Sequence, residues 1–267
     1  MSTEARWRQI LAAVEAQVQV GVADLKRLTG ASAATIRRDL KALEDKRLVL
    51  RVHGGVIEFP REASVPEKSR THVAEKTAIG RLASSYIQEG EVVLLDAGTT
   101  TGMILRELRH FRHITVVTNA VNILVGLLPF DSFEVIMLGG TLRSTNQAVV
   151  GPLTEDNLRH IRPDRAFMGA YGVDLRGRGL VSPTLSQAYL KGAMMQAARH
   201  VYVAVDHTKL GEPRYGFVTP LPADATLLID DRVSIAQRQQ LEAAGLAFCL
   251  APTEPGPLHG ISGHGSE

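Results

Sequence analysis

Apolar side chains recur at helical spacing three times within the first 45 residues. Trp7, Ile10, Leu11 and Val14 follow the i, i+3, i+4, i+7 rhythm and predict a helix over residues 4–17. Val22, Leu25 and Leu28 form a second stripe, and Gly30 behind them suits a helix stop. Ser32 is an N-cap residue type for a third helix that turns Ile36, Leu40 and Leu43 inward. Residues 48–52 then read as a strand, Gly54-Gly55 as a sharp turn and residues 56–59 as the returning strand. The pattern predicts three helices and a two-stranded wing over residues 1–59.

Residues 60–72 read as a polar linker in which Pro60 and Pro66 discourage helix. Beyond them strand-like apolar runs fall at 92–96, 114–119, 134–138, 165–169, 201–206, 226–229 and 246–250. Helical patterns lie between them near 100–108, 120–128, 153–160, 187–198 and 235–243. Runs apolar on both faces and separated by helices imply a parallel sheet covered on both sides. The expected fold class is therefore α/β, a winged helix-turn-helix joined to a mostly parallel α/β domain over residues 73–252. The Pro- and Gly-rich residues 253–267 are expected to lack fixed structure.

Composition narrows the classes. The chain has 267 residues, 45% of them hydrophobic and 22% charged, which suits two unequal soluble domains. One cysteine, Cys249, excludes an internal disulfide framework and fits a reducing cytoplasm. The first residues lack the apolar core of a signal peptide, and no apolar run approaches the roughly 20 residues of a membrane span. A cytoplasmic protein with no membrane partner is expected. Its net charge of +2 is uneven: up to His53 there are ten Lys/Arg against six Asp/Glu, and afterwards twenty against twenty-two. A basic head on a mildly acidic body suggests that the head meets a polyanion.

In a helix-turn-helix the second helix of the pair enters the major groove of duplex DNA. Here that helix would present Ser32, Ala33, Ala34, Thr35, Arg38 and Lys41 outward. Small residues allow close approach, and Arg38 can donate two hydrogen bonds to a guanine edge. Thr35 can meet a thymine methyl or a phosphate, while Arg37, Lys46 and Arg51 suit phosphate contacts. The plainer reading is a helical docking domain with a solvated charged face.

The body offers different chemistry. The strand ending at Asp96 runs through Ala97 and Gly98 into Thr99, Thr100 and Thr101, exposing N–H groups and hydroxyls that suit a phosphate or carboxylate. Helix capping by one threonine is the alternative. Thr118-Asn119, Gly139-Gly140, Gly169 and Asp206-His207-Thr208-Lys209 follow other predicted strands. Parallel strands place such loops on one edge, where ligands bind near a topological switch point. Lys209 is the cation best placed for a bound anion, or else a solvated loop lysine. Asp174 is a ligand contact or a turn aspartate.

Several of these strings together resemble a known family. Thr35-Ile36-Arg37-Arg38-Asp39-Leu40, Leu43-Glu44 and Arg51-Val52-His53-Gly54-Gly55 resemble the signature of the DeoR-type sugar-catabolism repressors. Asp96-Ala97-Gly98-Thr99-Thr100-Thr101, Val117-Thr118-Asn119, Leu138-Gly139-Gly140 with Arg143, Val150-Gly151-Pro152 and Asp206-His207-Thr208-Lys209-Leu210-Gly211 are similar to family motifs in family order. The resemblance spans roughly residues 4–250 and adds His53 to the DNA-facing set. It implies a sensor domain similar to ribose-5-phosphate isomerase, and a repressor that releases a double-stranded operator on binding a phosphorylated sugar. A homo-oligomer, dimer or tetramer, is expected. One departure is Ser186-Gln187-Ala188, where the family commonly carries an acidic residue; Gln187 can hydrogen-bond an effector but cannot act as a carboxylate base. A sugar-phosphate isomerase or deaminase with an accessory DNA-binding head is the competing class. No cofactor, metal site or catalytic residue is expected, since neither a Cys/His cluster nor a complete nucleotide-binding fingerprint occurs.

Overall fold

A computed structural model describes residues 2–17, 19–46, 48–52, 54–59, 62–211 and 216–254. His53, Pro60 and nearly all of the predicted tail, residues 255–267, lie outside the described residues. Two compact units divide the chain, residues 1–62 and 63–267.

The first unit holds α1 (Thr3–Ala16), α2 (Val22–Thr29), α3 (Ala33–Asp45), β1 (Val49–Val52) and β2 (Gly55–Glu58). Ile10, Val14, Leu25, Ile36, Leu40 and Leu43 meet in one core with Val20, Val49 and Val56, as the helical stripes require. Leu28 departs from its stripe: it is 51% exposed, because α2 ends one residue later at the left-handed Gly30. The wing is an antiparallel pair with Val52 opposite Gly55. Val20 bridges Val56 beside it, and a Cβ on Gly55 would lie 2.5 Å from the Val20 carbonyl oxygen, so no side chain fits there.

One carboxylate ties the helices together. Asp39, on the inner side of α3, accepts hydrogen bonds from Arg6 Nε and Nη2 at 2.5 and 3.0 Å and from Trp7 Nε1 at 2.9 Å. The Arg6 hydrogen bonds hold its carboxyl below the ordinary carboxylate range, against an upward push from burial.

The second unit opens with α4 (Val65–Ser69) and α5 (Val73–Ser84). Helix α4 corrects the expectation that Pro66 would keep this segment extended. Pro66 stands in the first turn, where its missing N–H costs nothing, and Ser64 with Glu67 forms a capping box. After these come β3 (Val92–Leu95), a 3₁₀ turn (Thr101–Ile104), α6 (Leu105–Leu108), β4 (Thr115–Thr118), α7 (Val121–Leu127) and β5 (Glu134–Met137). The hairpin β6 (Thr141–Arg143) and β7 (Ala148–Val150) leads into α8 (Pro152–Leu158) and β8 (Arg165–Met168). Then follow β9 (Gly172–Asp174), β10 (Gly179–Ser182), α9 (Leu185–Ala197) and β11 (His200–Ala204). The described chain closes with β12 (Leu210–Gly211), β13 (Phe217–Pro220), β14 (Thr226–Asp230), α10 (Ile235–Ala243) and β15 (Ala247–Ala251).

Seven strands form one parallel sheet in the order β15-β14-β11-β8-β3-β4-β5, and each coincides with a predicted run. Its side chains alternate between two cores. Val93 and Leu95 of β3, Phe167 of β8 and Leu228 of β14 pack with α5, α6 and α7. Leu94, Ala166, Met168, Leu227 and Ile229 pack with α8, α9 and α10 on the other face. A second sheet, β12-β9-β10-β13, and the β6–β7 hairpin were not expected; their strands have two to four residues and fall among turns. No helix among the described residues is long and apolar enough to cross a membrane.

Replacing Asp39 with Ala removes the counter-charge and hydrogen-bond partner of Arg6 and Trp7, and the head should unfold at a lower urea concentration. The single tryptophan, itself bonded to Asp39, makes fluorescence-monitored urea unfolding the measurement. Because the folded pKa of Asp39 is depressed, its contribution is full above the unfolded value, about pH 4, and falls away as pH drops through the folded value. A wild-type transition that kept its midpoint throughout that interval would contradict this.

Candidate functional site

On the head, helix α3 presents an outer stripe of Ala34, Arg37, Arg38 and Lys41, all exposed. Among the described residues neither arginine nor Lys41 enters an ion pair or side-chain hydrogen bond; Arg38 acts on Asp39 only through its charge. Ser32 caps the helix: its Oγ accepts the Thr35 N–H at 3.1 Å and lies 2.9 Å from Thr35 Oγ1. Both hydroxyls thus serve the helix start. Arg51 is exposed on the wing, and its backbone N–H donates to Glu44 Oε1 at 3.0 Å.

In the second unit the strand order reverses beside β3. The chain passes from β3 to β4 and β5 on one side, then returns to β8 on the other, so the β3 and β8 ends border a topological switch point. Asp96 and Gly169 stand at those two ends. Asp96, almost fully buried, pairs with Lys191 of α9 and accepts the Gly169 N–H at 3.1 Å. Lys191 Nζ also donates to the Gly169 carbonyl at 2.6 Å. Gln187, one turn before Lys191 on the same helix, is buried and accepts the Thr184 hydroxyl at 2.8 Å.

The residues after Asp96 divide in role. Thr101 donates to the carbonyls of Asp96 and Gly98 at 2.7 and 3.1 Å. Thr118 donates to Leu95 at 2.7 Å, and Asn119 Oδ1 accepts the Ala97 N–H at 3.0 Å. These three predicted contact residues hold the loop. By contrast, the backbone N–H groups of Gly98, Thr99 and Thr100 make no hydrogen bond within the described residues. Three successive backbone N–H groups without an internal acceptor are the kind of donor that an anion accepts from. The helix dipole invoked from sequence drops out, since only a 3₁₀ turn and the four residues of α6 follow.

Other predicted residues lie around or beyond this point. Gly139 and Gly140 are exposed at the end of β5, and Gly139 accepts the Thr154 hydroxyl at 2.7 Å. Lys209, half-buried, closes the short turn after β11, whose cap is the buried Asp206. Asp174 takes the turn role: its Oδ1 accepts the Arg176 and Gly177 N–H groups at 3.1 and 3.0 Å.

Sequence reasoning missed Lys191 and Lys76. Lys191 is a lone cation in an apolar helix, a signal present in the sequence, but its partner is 95 residues away. Lys76 of α5 is buried and donates to the Lys68 and Thr71 carbonyls at 2.5 and 2.6 Å. Burial pushes its pKa down; Asp206 pulls it up and Lys209 pushes it down again.

A helix-turn-helix unit with an exposed cationic face, on a chain whose α/β unit gathers several strand-end loops at a topological switch point, is the build of a ligand-responsive DNA-binding regulator. The chain belongs to the DeoR family: residues 6–59 match the DeoR-like helix-turn-helix domain and residues 71–232 the DeoR C-terminal sensor domain. It is 33% identical to an HTH-type transcriptional regulator GlpR of Haloferax volcanii, over 90% of this chain and 95% of that one. It is 31% identical to the glycerol-3-phosphate regulon repressor of Escherichia coli K12, over 79% of this chain and 84% of that one. Among solved structures, ribose 5-phosphate isomerase A of Methanocaldococcus jannaschii aligns with a TM-score of 0.38 and 18% identity, over 51% of this chain and 53% of that one. That likeness is too slight to carry an argument.

Substituting Asp96 with Ala strands the Lys191 ammonium in a buried site and should lower stability by on the order of 3–5 kcal/mol. Adding Lys191→Met should recover much of that loss, since the pair acts as a unit. A double-variant loss equal to the sum of the Asp96→Ala and Lys191→Met losses, measured by chemical denaturation, would show that the two groups are not coupled.

Proposed function

We propose that this protein is a transcriptional repressor of a carbohydrate-utilisation operon, released from DNA when a phosphorylated sugar binds its sensor domain. In this reading residues 1–59 grip the operator, 60–72 link and 73–252 sense. Arg38 reads a base edge, Ser32, Ala34 and Thr35 allow the helix to seat, and Arg37, Lys41, Arg51 and His53 meet phosphates. The protein works in the cytoplasm as a homo-oligomer, whose symmetry matches paired half-sites.

The observation that carries the sensing half is the run of free N–H groups at Gly98, Thr99 and Thr100 beside the switch point. A phosphate is the anion of suitable size and acceptor number; in this reading Thr99 and Thr100 add hydroxyls, and Lys209, from another strand-end loop of the same sheet, adds charge. The Escherichia coli relative, a glycerol-3-phosphate regulon repressor, supports the same class of ligand. Binding shifts the population away from the DNA-competent state. Turnover is not part of this reading. Asp96 is tied up by Lys191 and Gly169, and Gln187 is an amide, which leaves the crevice short of a free carboxylate base.

Duplexes selected by the wild-type protein from a randomised pool test the head. Arg38→Ala should cut discrimination against scrambled duplex by about 1–3 kcal/mol. Arg37→Ala should weaken both duplexes alike and reduce the salt slope by about 1. Full discrimination by the Arg38 variant would mean that α3 does not read the bases.

Thermal denaturation with a panel of sugar phosphates tests the sensor. A true effector at a hundredfold excess over its Kd should add about 2.7 kcal/mol of stability. That gain should shrink in Thr100→Ala and Lys209→Ala. Rapid conversion of any panel member by the purified protein would overturn the non-catalytic reading.

A further inference from the structure

Lys76 of α5 is 3% exposed, and among the described residues no carboxylate stands within ion-pair distance of its ammonium. Two of its three N–H groups are used, on the Lys68 and Thr71 carbonyls. A buried lysine is ordinarily paired with a carboxylate, so an ammonium held by neutral carbonyls, with one donor to spare, is an exception. Burial pushes its pKa down, and the charges that act on it most are Asp206 and Lys209, both in the turn after β11.

The carbonyls that Lys76 holds lie at the turn between α4 and α5. His72 stands in that turn at φ 51° and ψ 43°, a left-handed conformation that few residues with a side chain adopt. Such a conformation persists only where surrounding contacts hold it. Here they come from two sides. Lys76 gathers the Lys68 and Thr71 carbonyls across the turn. Glu75, also buried, accepts from Arg232 Nη1 at 2.7 Å and stands 3.8 Å from His72 Nδ1. The His72 ring meets that of His207 edge-on, with centroids 5.8 Å apart, and His207 Nδ1 lies 2.8 Å from Asp230 Oδ1. The turn is thus tied to the ends of β11 and β14, on the sheet edge that carries the strand-end loops. In the chain, α4 begins three residues after the first unit stops.

We infer that Lys76 is the coupling group of this regulator. Without ligand its ammonium holds the α4–α5 turn closed; an anion bound at the end of β11 draws it off those carbonyls and lets the turn open. The inference rests on the anion site proposed above and gives that site a route to the segment leading to the head. The spare N–H offers the anion its first contact. An ammonium bonds an anion about twice as strongly as it bonds a neutral carbonyl, and its four-carbon stem is flexible. Once the ammonium has left, the left-handed histidine has strain to release.

Hydrogen exchange of the full-length protein, read by mass spectrometry on peptides spanning residues 64–76, tests this. The protein is taken alone, with inorganic phosphate, and with three- to six-carbon sugar monophosphates, whose binding is measured separately by isothermal titration. The amides of Lys68, Arg70, Thr71 and Lys76 are hydrogen-bonded in and around the turn. A sugar phosphate that binds should quicken their exchange by about tenfold, whereas a bound ligand ordinarily slows exchange. Lys76→Met should exchange fast in this segment without ligand and show no further response at saturation. His72→Asn, which takes the left-handed conformation with less strain, should slow exchange there and shrink the response. That second variant decides the matter if the methionine variant does not fold. A ligand that binds the wild type without quickening this segment would overturn the inference while leaving the anion site standing. So would a wild-type response in a folded Lys76→Met, or an unchanged response in His72→Asn. If neither inorganic phosphate nor any sugar phosphate binds the wild type, the anion site itself falls and this inference with it.

Discussion

A carboxylate and an ammonium, both withdrawn from water, hold the sensing unit together where its sheet changes direction. Asp96 ends β3, Lys191 rises from α9, and the Gly169 backbone at the end of β8 bonds to both. Two charges in such a place are tolerable only because each is neutralised by the other and their remaining hydrogen bonds are made. The pair therefore fixes three separate stretches of chain at one point. The loop after Asp96 is then fastened from the other side, by Asn119 to Ala97 and by Thr101 to Asp96 and Gly98. With its outer fastenings made, the middle of the loop keeps its N–H groups unpaired and facing no internal acceptor.

The same economy runs through the head. Arg37, Arg38 and Asp39 are adjacent, yet helical geometry sends the carboxylate inward and the two cations outward. Asp39 binds α3 to Arg6 and Trp7 of α1, while the two arginines make no ion pair or side-chain hydrogen bond among the described residues. Had Asp39 lain on the outer face it would have neutralised the charge that a polyanion requires. In the head a buried charge sets the frame and exposed ones face outward. In the sensing unit a buried pair sets the frame and backbone N–H groups are left without an internal acceptor among the described residues.

A regulator built this way separates binding from stability only in part. The groups suited to an effector sit within a residue or two of those that hold the sheet edge, as Thr100 sits beside Thr101. In the reading proposed above, an anion held by residues 98–100 would bear directly on the loop that Asp96 anchors. On the same edge, Lys76 secures the end of α4, close in the chain to the head, and feels the charges of Asp206 and Lys209.

Much of this was legible in the residues themselves. The three helical stripes of the head and the seven strands of the parallel sheet correspond to observed elements, because burial on a fixed period leaves its mark locally. Helix α5 left a weaker mark, since Glu75 and Lys76 are buried among its small apolar residues and blur the stripe. Strands β9, β10 and β13 left almost none: they are short, and β10 finds β13 across the 34 residues from 183 to 216. The threonines and Asn119 were legible as a cluster but not in role, because a hydroxyl that grips its own loop and one that faces a ligand look alike in sequence. Lys191 could be seen as an oddity in an apolar helix, and only folding brought it to Asp96. Periodicity and capping are properties of neighbours in the chain, so the sequence determined the elements and their order. Which polar atoms meet, and which are left without a partner, is a property of residues tens of positions apart, and that was decided by the tertiary structure.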